Sequence, residues 1–381
     1  MPRLLMVSQP TVAGVAQCVL DWSMGLRELG WEVTVACPAE GDLTEWCARV
    51  GLPTVRWESQ RAPQAGVRTE SAALRRIIDA FDPDLVMLHS SKAGLIGRLV
   101  LRGSRATVFV PHAWSFDAAT GVAGRGALIW ERLAGANWTD LILCVSAAEY
   151  ARGVAAGVHA TYQVTRNGVD VAGVRAAAGD AGRLRRDCGI EPSAALVVCL
   201  GRLTTQKGQD VLLRAWPSVP GGSSRQLALV GDGPDAAALA ALADDTVTFV
   251  GGVDRNTALG WLAGADVVAV PSRWEGMALV PLEALALGTP VVASDVTGLR
   301  EAVTPDVGTL VPPDDPDALA AALARWLAVD PPERGVVRDV ARARAEAEFS
   351  LASTVTAVAA ALADCADRRR AGCTNLRGLL C

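Results

Sequence analysis

The chain has 381 residues, 51% of them hydrophobic, with 36 lysines and arginines against 41 aspartates and glutamates. That length favours two domains over one, and the apolar share is ample for two full-size cores. The formal net charge of −5, with both signs mixed along the chain, argues against nucleic acid as a main partner, because phosphate-backbone binding needs a concentrated basic surface.

Residues 4–7 read as a buried strand. A loop over 8–13 leads to Gly14 and a helix to about Leu29, where Gly30 ends it. Strands follow at 31–37, 54–57, 85–89, 106–110 and 141–145, with helices predicted at 67–81, 93–101, 126–135 and from Ser146. Apolar strands alternating with helices mean a parallel sheet covered on both faces. The Ala-, Gly- and Arg-rich stretch 175–191 lacks strand character and reads as an interdomain linker. A second alternation then places strands at 195–200, 226–230, 247–250, 267–270, 290–293 and 308–311. Helices are predicted between them at 208–216, 235–242, 257–262 and from about Leu279, then at 315–327 and onward to about Ala363. Residues 368–381, with three adjacent arginines and no periodicity, read as a frayed tail.

Arg3 is followed by only a short apolar run, so no secretory leader is expected. The weakly charged run 276–294 has the length of a membrane span, but Pro281, Glu283 and Pro290 make strand–helix–strand the better reading. Nine scattered cysteines without a CxxC pair give neither a disulfide framework nor a zinc site, which suits a reducing cytoplasm.

Two doubly wound halves place a ligand beyond the carboxyl ends of the strands, and the polar residues cluster there. After strand 267–270 comes RWEGMALVPLEALALGTPVVAS, with Glu275 and Glu283 eight residues apart and a helix opening between them. Free amides at a helix start attract anions. The plainer alternative is a solvated Glu275 and a capping Glu283. After strand 195–200 comes GRLTTQKG, a glycine turn with Arg202 and Lys207 at a helix mouth, which suits a diphosphate unless it is only an exposed basic turn. His112 follows strand 106–110, where a structural role competes with a functional one. The stretch 89–94, HSSKAG, faces the same edge as ligand contact or helix cap. Gly231-Asp232-Gly233-Pro234-Asp235-Ala236 matches the loose dinucleotide pattern, with Asp254 at about the right distance. Asp82-Pro83-Asp84 and Asp315-Pro316-Asp317 do not suit a metal at that ligand edge, since one precedes a strand and the other caps a helix.

The Glu275–x7–Glu283 pattern after a strand, together with the Arg202–Lys207 turn, resembles the retaining nucleotide-sugar glycosyltransferases of family 4 (glycosyl transferases group 1). The resemblance covers about 1–362 and is most specific over 201–294. It implies an α/β, GT-B architecture, two Rossmann-like doubly wound domains facing a central cleft. The expected parts are an acceptor-binding domain over 1–175, a linker over 176–193 and a nucleotide-sugar domain over 194–348. A helix over 349–366 crosses back to the first domain, and 367–381 forms the tail.

By resemblance, Arg202 and Lys207 hold the donor diphosphate, and the backbone of Gly276, Met277, Ala278 and Leu279 faces the phosphates. Glu283 accepts from the ribose, Glu275 lies by the donor sugar, His112 contacts that sugar, and main chain at Val253 reads the base. The first loop, at Gly14, approaches the phosphate. Many members carry paired glycines there, and this chain has Ala13-Gly14. The implied reaction is retaining, metal-independent and cofactor-free transfer from a UDP-sugar, with GDP as the alternative base. The acceptor is a small molecule or a lipid-linked glycan, and the location is cytoplasmic, with peripheral contact at the inner face of a membrane left open. The rivals are another GT-B enzyme such as a sugar-nucleotide epimerase or phosphorylase, a nicotinamide oxidoreductase using the Gly231 turn, and a nucleotide-binding module without catalysis.

Overall fold

The computed structural model describes residues 1–60, 66–119, 121–179, 181–191 and 193–378. It contains β1 (Arg3–Ser8), β2 (Glu32–Cys37), β3 (Thr54–Arg56), β4 (Leu85–His89), β5 (Ala106–Val110), β6 (Leu141–Cys144) and β7 (Tyr162–Val164) in one sheet. A second sheet holds β8 (Ala195–Leu200), β9 (Arg225–Val230), β10 (Val247–Gly251), β11 (Val267–Val270), β12 (Val291–Ser294) and β13 (Gly308–Val311). The strand orders are β3-β2-β1-β4-β5-β6-β7 and β10-β9-β8-β11-β12-β13, and the pairings within both sheets are parallel. Each order reverses direction once, between β1 and β4 and between β8 and β11. In a doubly wound sheet that is where helices diverge and a crevice opens.

The strand runs are apolar on both faces because helices cover both faces. Leu4, Leu5, Met6 and Val7 are fully buried, as are Leu85, Val86, Met87 and Leu88. Register carries function: Ser8 pairs with His89, and His89 with Val110, so three strand ends lie side by side at the carboxyl edge. Four fully buried tryptophans anchor the cores, among them Trp57 and Trp114 in the first and Trp216 in the second.

The chain divides into two compact units, Met1–Asn167 with Ala352–Cys381, and Gly168–Leu351. The stretch read as a linker contains the end of helix Val171–Ala178 and helix Ala181–Asp187, both inside the second unit. Arg185 fastens that segment, donating to the Gly264 carbonyl at 3.0 Å and pairing with Asp266 at 3.3 Å. A short Ala- and Arg-rich helix has too little apolar periodicity to be distinguished from a linker in sequence. Helix Asp42–Arg49 and the three-residue edge strand β7 also lie outside the predicted elements.

The last helix, Leu351–Gly378, continues through the segment read as a tail, and 379–381 lie outside the described residues. Thr354 Oγ1 donates to the Arg166 carbonyl at 3.0 Å, and Arg369 pairs with Asp140 at 2.9 Å. The tethered Arg369 supplies the tertiary contact that periodicity could not reveal. Cys18, Cys37, Cys47, Cys144, Cys188, Cys199 and Cys365 are free thiols. No helix among the described residues is long and apolar enough to cross a membrane.

Candidate active site

In the second unit the polar residues converge at the β8/β11 switch point. β8 ends in Gly201-Arg202, a 3₁₀ turn follows over Thr205–Lys207, and Gly208 adopts a left-handed φ of +65°. A Cβ on Gly208 would stand 2.1 Å from the Pro271 carbonyl oxygen, so the turns after β8 and β11 touch backbone to backbone. Arg273 ties them together. Its N–H donates to the Gln206 carbonyl at 2.8 Å, and its guanidinium donates to the Thr205 carbonyl at 2.6 Å. The same guanidinium grips Asp210 at 2.8 and 2.9 Å and Asp314 at 2.8 Å. These contacts hold the Asp210 carboxyl below its usual range and push the Arg273 guanidinium up.

On that platform Lys207 Nζ reaches Glu275 Oε1 at 2.6 Å, and Ser272 Oγ donates to the same oxygen at 2.7 Å. Glu275 is 8% exposed, so its buried carboxyl group is matched by a cation and a hydroxyl. The Arg202 guanidinium has no partner among the described residues, while its carbonyl accepts from Gln209 Nε2 at 3.0 Å. Lys207, Pro271, Ser272, Ala278 and Val280 line a small pocket where helix Leu279–Leu287 begins. Ala278 is the N-cap and offers no side-chain acceptor, which leaves the first turn's amides uncapped by a side chain. Gly298, at φ +78°, fixes the approach to that helix, since a Cβ there would stand 1.7 Å from the Gly276 carbonyl oxygen.

Glu283 is buried one face deeper in this helix, and Arg255 Nη1 lies 2.7 Å from its Oε1, close but poorly aligned as a hydrogen bond. Arg255 opens helix Arg255–Gly264, directly after the loop that holds Val253. Asp254 accepts from the amides of Asn256 at 2.9 Å and Thr257 at 3.2 Å as that helix's N-cap. Asp254, the acidic residue at the distance the dinucleotide pattern asks for, is thus the cap of this helix. The glycines of that pattern serve packing: a Cβ on Gly233 would stand 2.1 Å from the Leu203 carbonyl oxygen.

In the first unit His112 lies beyond β5, and its Nε2 is 2.9 Å from Nδ1 of His89 at the end of β4. Both rings pack near Trp22, at centroid distances of 5.7 and 6.4 Å. Burial lowers the pKa of both imidazoles, His112 to about 4, so both are neutral near pH 7. His112 and Ala113 carry left-handed φ values of +55° and +120°, an uncommon conformation for side-chain-bearing residues. Glu149 holds it in place. Its carboxylate accepts from Ala113 N at 2.7 Å and Val145 N at 2.8 Å, and its own amide donates to Ser146 Oγ at 3.0 Å. Burial pushes the Glu149 carboxyl up to about 7, against the two amides, which favour its charge. Gly14 is the second residue of helix Ala13–Glu28, and the left-handed position of that loop falls on Ala13, at φ +60°. Ser115 Oγ is turned toward Glu131, at 3.4 Å, and Phe116 stacks on Trp114.

The structure thus puts Lys207 and Ala278 in the lining of one small pocket, with Glu275 bonded to Lys207, Arg202 in the turn that carries Lys207, and Glu283 paired with Arg255 just after the Val253 loop. His112 and Gly14 belong to the first unit's strand edge. Sequence reasoning missed Ser272, Arg273, Asp210, Arg255 and Glu149. An Arg within the motif and a Ser-x-x-Glu start at Ser146 were the only signals, and neither names its partner. Among the described residues no group of three or more His, Cys, Asp or Glu side chains could hold a metal ion.

Two doubly wound parallel sheets, one with cations and an uncapped helix start at its switch point, define the GT-B class of glycosyltransferase folds. The Anabaena protein Alr3699/HepE, solved with UDP and glucose, superposes with a TM-score of 0.83 at 22% identity, over 96% of this chain and 100% of that one. WaaG, a glycosyltransferase of lipopolysaccharide biosynthesis, superposes with a TM-score of 0.72 at 19% identity, over 93% of this chain and 98% of that one. Residues 12–172 match the family model Glycosyltransferase Family 4, and 194–328 match Glycosyl transferases group 1. The GDP-mannose-dependent alpha-(1-6)-phosphatidylinositol monomannoside mannosyltransferase of Mycolicibacterium smegmatis is 31% identical over 356 residues, 87% of this chain and 90% of the relative. The chain belongs to glycosyltransferase family 4.

The GDP-mannose-dependent monoacylated alpha-(1-6)-phosphatidylinositol monomannoside mannosyltransferase of Corynebacterium glutamicum is 36% identical, over 51% of this chain and 54% of its own length. The D-inositol 3-phosphate glycosyltransferase of Mycolicibacterium gilvum is 37% identical, over 51% of this chain and 45% of its own length. In these two matches the chain spans about half the length of the curated relative.

Proposed function

We propose that the protein transfers a sugar from a nucleotide-sugar donor to a hydroxyl acceptor, retaining the anomeric configuration and using no metal. The observation that carries this reading is the Arg202 guanidinium, without a partner among the described residues, in the turn that also carries Lys207, next to the uncapped start of helix Leu279–Leu287. Arg202, Lys207 and the amides of Met277, Ala278 and Leu279 take the donor diphosphate. Glu283 accepts from the ribose hydroxyls, and main chain at Val253 meets the base. Glu275 and His112 position the sugar. The leaving phosphate takes the acceptor proton as the hydroxyl attacks from the same face, so no side chain is needed as general base. Preorganised donors at a site of developing charge are worth roughly 3–4 kcal/mol each.

Three of the four aspartates in the two Asp-Pro-Asp runs already have partners, which supports the metal-free reading. Asp82 pairs with Arg105 at 2.6 Å, Asp84 accepts from the Arg3 amide at 2.8 Å, and Asp315 caps a helix. For the donor we favour GDP-mannose over a UDP-sugar, since the relative matched over most of both chains is GDP-mannose-dependent by name. The acceptor we favour is a lipid-linked inositol glycan, which would bring the protein to the inner face of the membrane from the cytoplasm.

The test is thermal denaturation with GDP, UDP, ADP and NAD, then transfer assays with GDP-mannose in the presence of EDTA. Ligand at ~100 times its dissociation constant stabilises by about 2.7 kcal/mol. A shift with GDP that Arg202→Ala removes supports the reading, and a larger shift with UDP restores the UDP-sugar. A shift with NAD alone overturns it. Loss of transfer in EDTA overturns the metal-free part.

A further inference from the structure

His89 is fully buried at the end of β4, and its Nδ1 lies 2.9 Å from Nε2 of His112. Its other nitrogen, Nε2, is buried with no hydrogen-bond partner among the described residues. Burial and the neighbouring ring keep His89 neutral, and burial keeps His112 neutral. Two neutral imidazoles in contact through one nitrogen each place a single proton between them, which leaves two arrangements. In the first, His89 donates from Nδ1. Its Nε2 is then a bare lone pair, and His112 carries its proton on Nδ1. In the second, His112 donates from Nε2, and His89 buries an N–H that reaches no acceptor. Orphaned buried N–H groups are rarer in folded proteins than under-satisfied acceptors. The first arrangement is therefore the stable one.

We infer that His89 is a positioning residue that sets the tautomer of His112, so that His112 offers Nδ1–H to the site as a hydrogen-bond donor and keeps no free lone pair. His112 is itself partly exposed, so its outer face can meet a ligand, and the strained turn held by Glu149 fixes the ring's direction. The ligand atom it fits is an acceptor, a hydroxyl or phosphate oxygen, and the ring cannot take a proton from the acceptor alcohol. The tautomer follows from the ring contact, the unpartnered Nε2 of His89 and the neutrality of both rings; its catalytic consequence rests on the proposed transfer reaction.

The experiment uses the full chain labelled with [¹⁵N]histidine and long-range ¹H–¹⁵N correlation at pH 7.5. The sequence has three histidines, so single His→Gln variants assign the spectrum. The expected result is a protonated Nδ1 and an unprotonated Nε2 on both His89 and His112. A protonated Nε2 on His112 overturns the inference. This readout needs no turnover, so it stands apart from failure of the transferase reading.

If transfer is observed, His89→Phe should lower kcat at least tenfold with an unchanged Kd for the nucleotide. His89→Gln, which still offers an N–H, should recover part of the loss. An unchanged kcat in a folded His89→Phe variant overturns the positioning role, and the wild-type spectrum decides the tautomer even where that variant does not fold.

Discussion

The two strand edges are built from opposite materials. In the second unit the edge is charged: Lys207 on Glu275, Arg255 on Glu283, Arg273 across Asp210 and Asp314, and Arg202 left over. In the first unit the edge at β4 and β5 is a pair of neutral imidazoles over Trp22, oriented by one buried carboxylate. Charge in a partly desolvated site suits an ionic ligand, whose phosphates replace lost water with fixed donors. Neutral hydrogen-bonding groups in a strained turn suit an uncharged sugar, where direction matters more than field. The two edges thus differ in the kind of ligand group each suits, an ionic one at the second unit and a neutral hydrogen-bonding one at the first.

The largest effects should come from breaking the charged edge. Arg202→Ala and Lys207→Ala should each lower kcat/KM by about 10²–10³-fold, the usual loss for a donor aimed at developing charge. Lys207→Ala should also destabilise the fold, because it strands the buried Glu275 carboxylate, whereas Arg202→Ala should leave Tm nearly unchanged. Steady-state kinetics beside thermal melts separate the two, and equal Tm losses would show that Arg202 has a structural partner.

Glu283→Ala comes next. Loss of hydrogen bonds to a charged acceptor costs about 1.5–3 kcal/mol, or roughly 10–100-fold in nucleotide affinity. Isothermal titration with GDP and with its 2′-deoxy form reads this directly. If Glu283 accepts from the ribose 2′-hydroxyl, the 2′-deoxy form should bind the wild type more weakly and lose less on mutation. Equal losses for the two forms would remove that contact.

Gly298→Ala sharpens the same edge without touching a charge. Its left-handed φ and the 1.7 Å approach to Gly276 predict a displaced helix start, with weaker nucleotide binding and a lower Tm. Backbone strain of this kind costs of order 1–3 kcal/mol. Unchanged binding in a folded variant would show that the segment 276–279 does not depend on that contact.

The smallest effects belong to the neutral edge and depend on pH. His112 has its folded pKa lowered to about 4, so its stabilising contribution is complete above about 6.5 and is lost as pH falls toward 4. Glu149 has its folded pKa raised from 4.5 to about 7, so its contribution is complete below 4.5 and is lost as pH rises toward 7. Between about 4.5 and 6.5 the two slopes oppose each other. Glu149→Gln should make Tm rise more steeply with pH across this window, and His112→Gln should flatten or reverse the rise. Identical profiles for the two variants would show that neither group titrates as its burial requires.

The sequence by itself determined the doubly wound architecture and which polar residues lie at the strand edge of the second unit. Strands such as β4, β5, β8, β11 and β13 are apolar runs bounded by turn residues, and local pattern suffices to end them where the structure does. Arg202, Lys207, Glu275 and Glu283 were legible because a strand, a glycine turn and a helix start put them at one edge by connectivity alone.

Only the tertiary structure decided what those residues touch. The Arg273 clamp joins turns 63 residues apart, Glu149 reaches back 36 residues to Ala113, and Arg255 meets Glu283 across two helices. Arg369 meets Asp140 over 229 residues and carries the last helix through a stretch that has no periodicity of its own. Each is a polar pairing set by the folded positions of distant strands, which no local period encodes. The meeting of His89 and His112 is of the same kind: two isolated histidines in the sequence become one coupled pair only because β4 and β5 lie side by side in register.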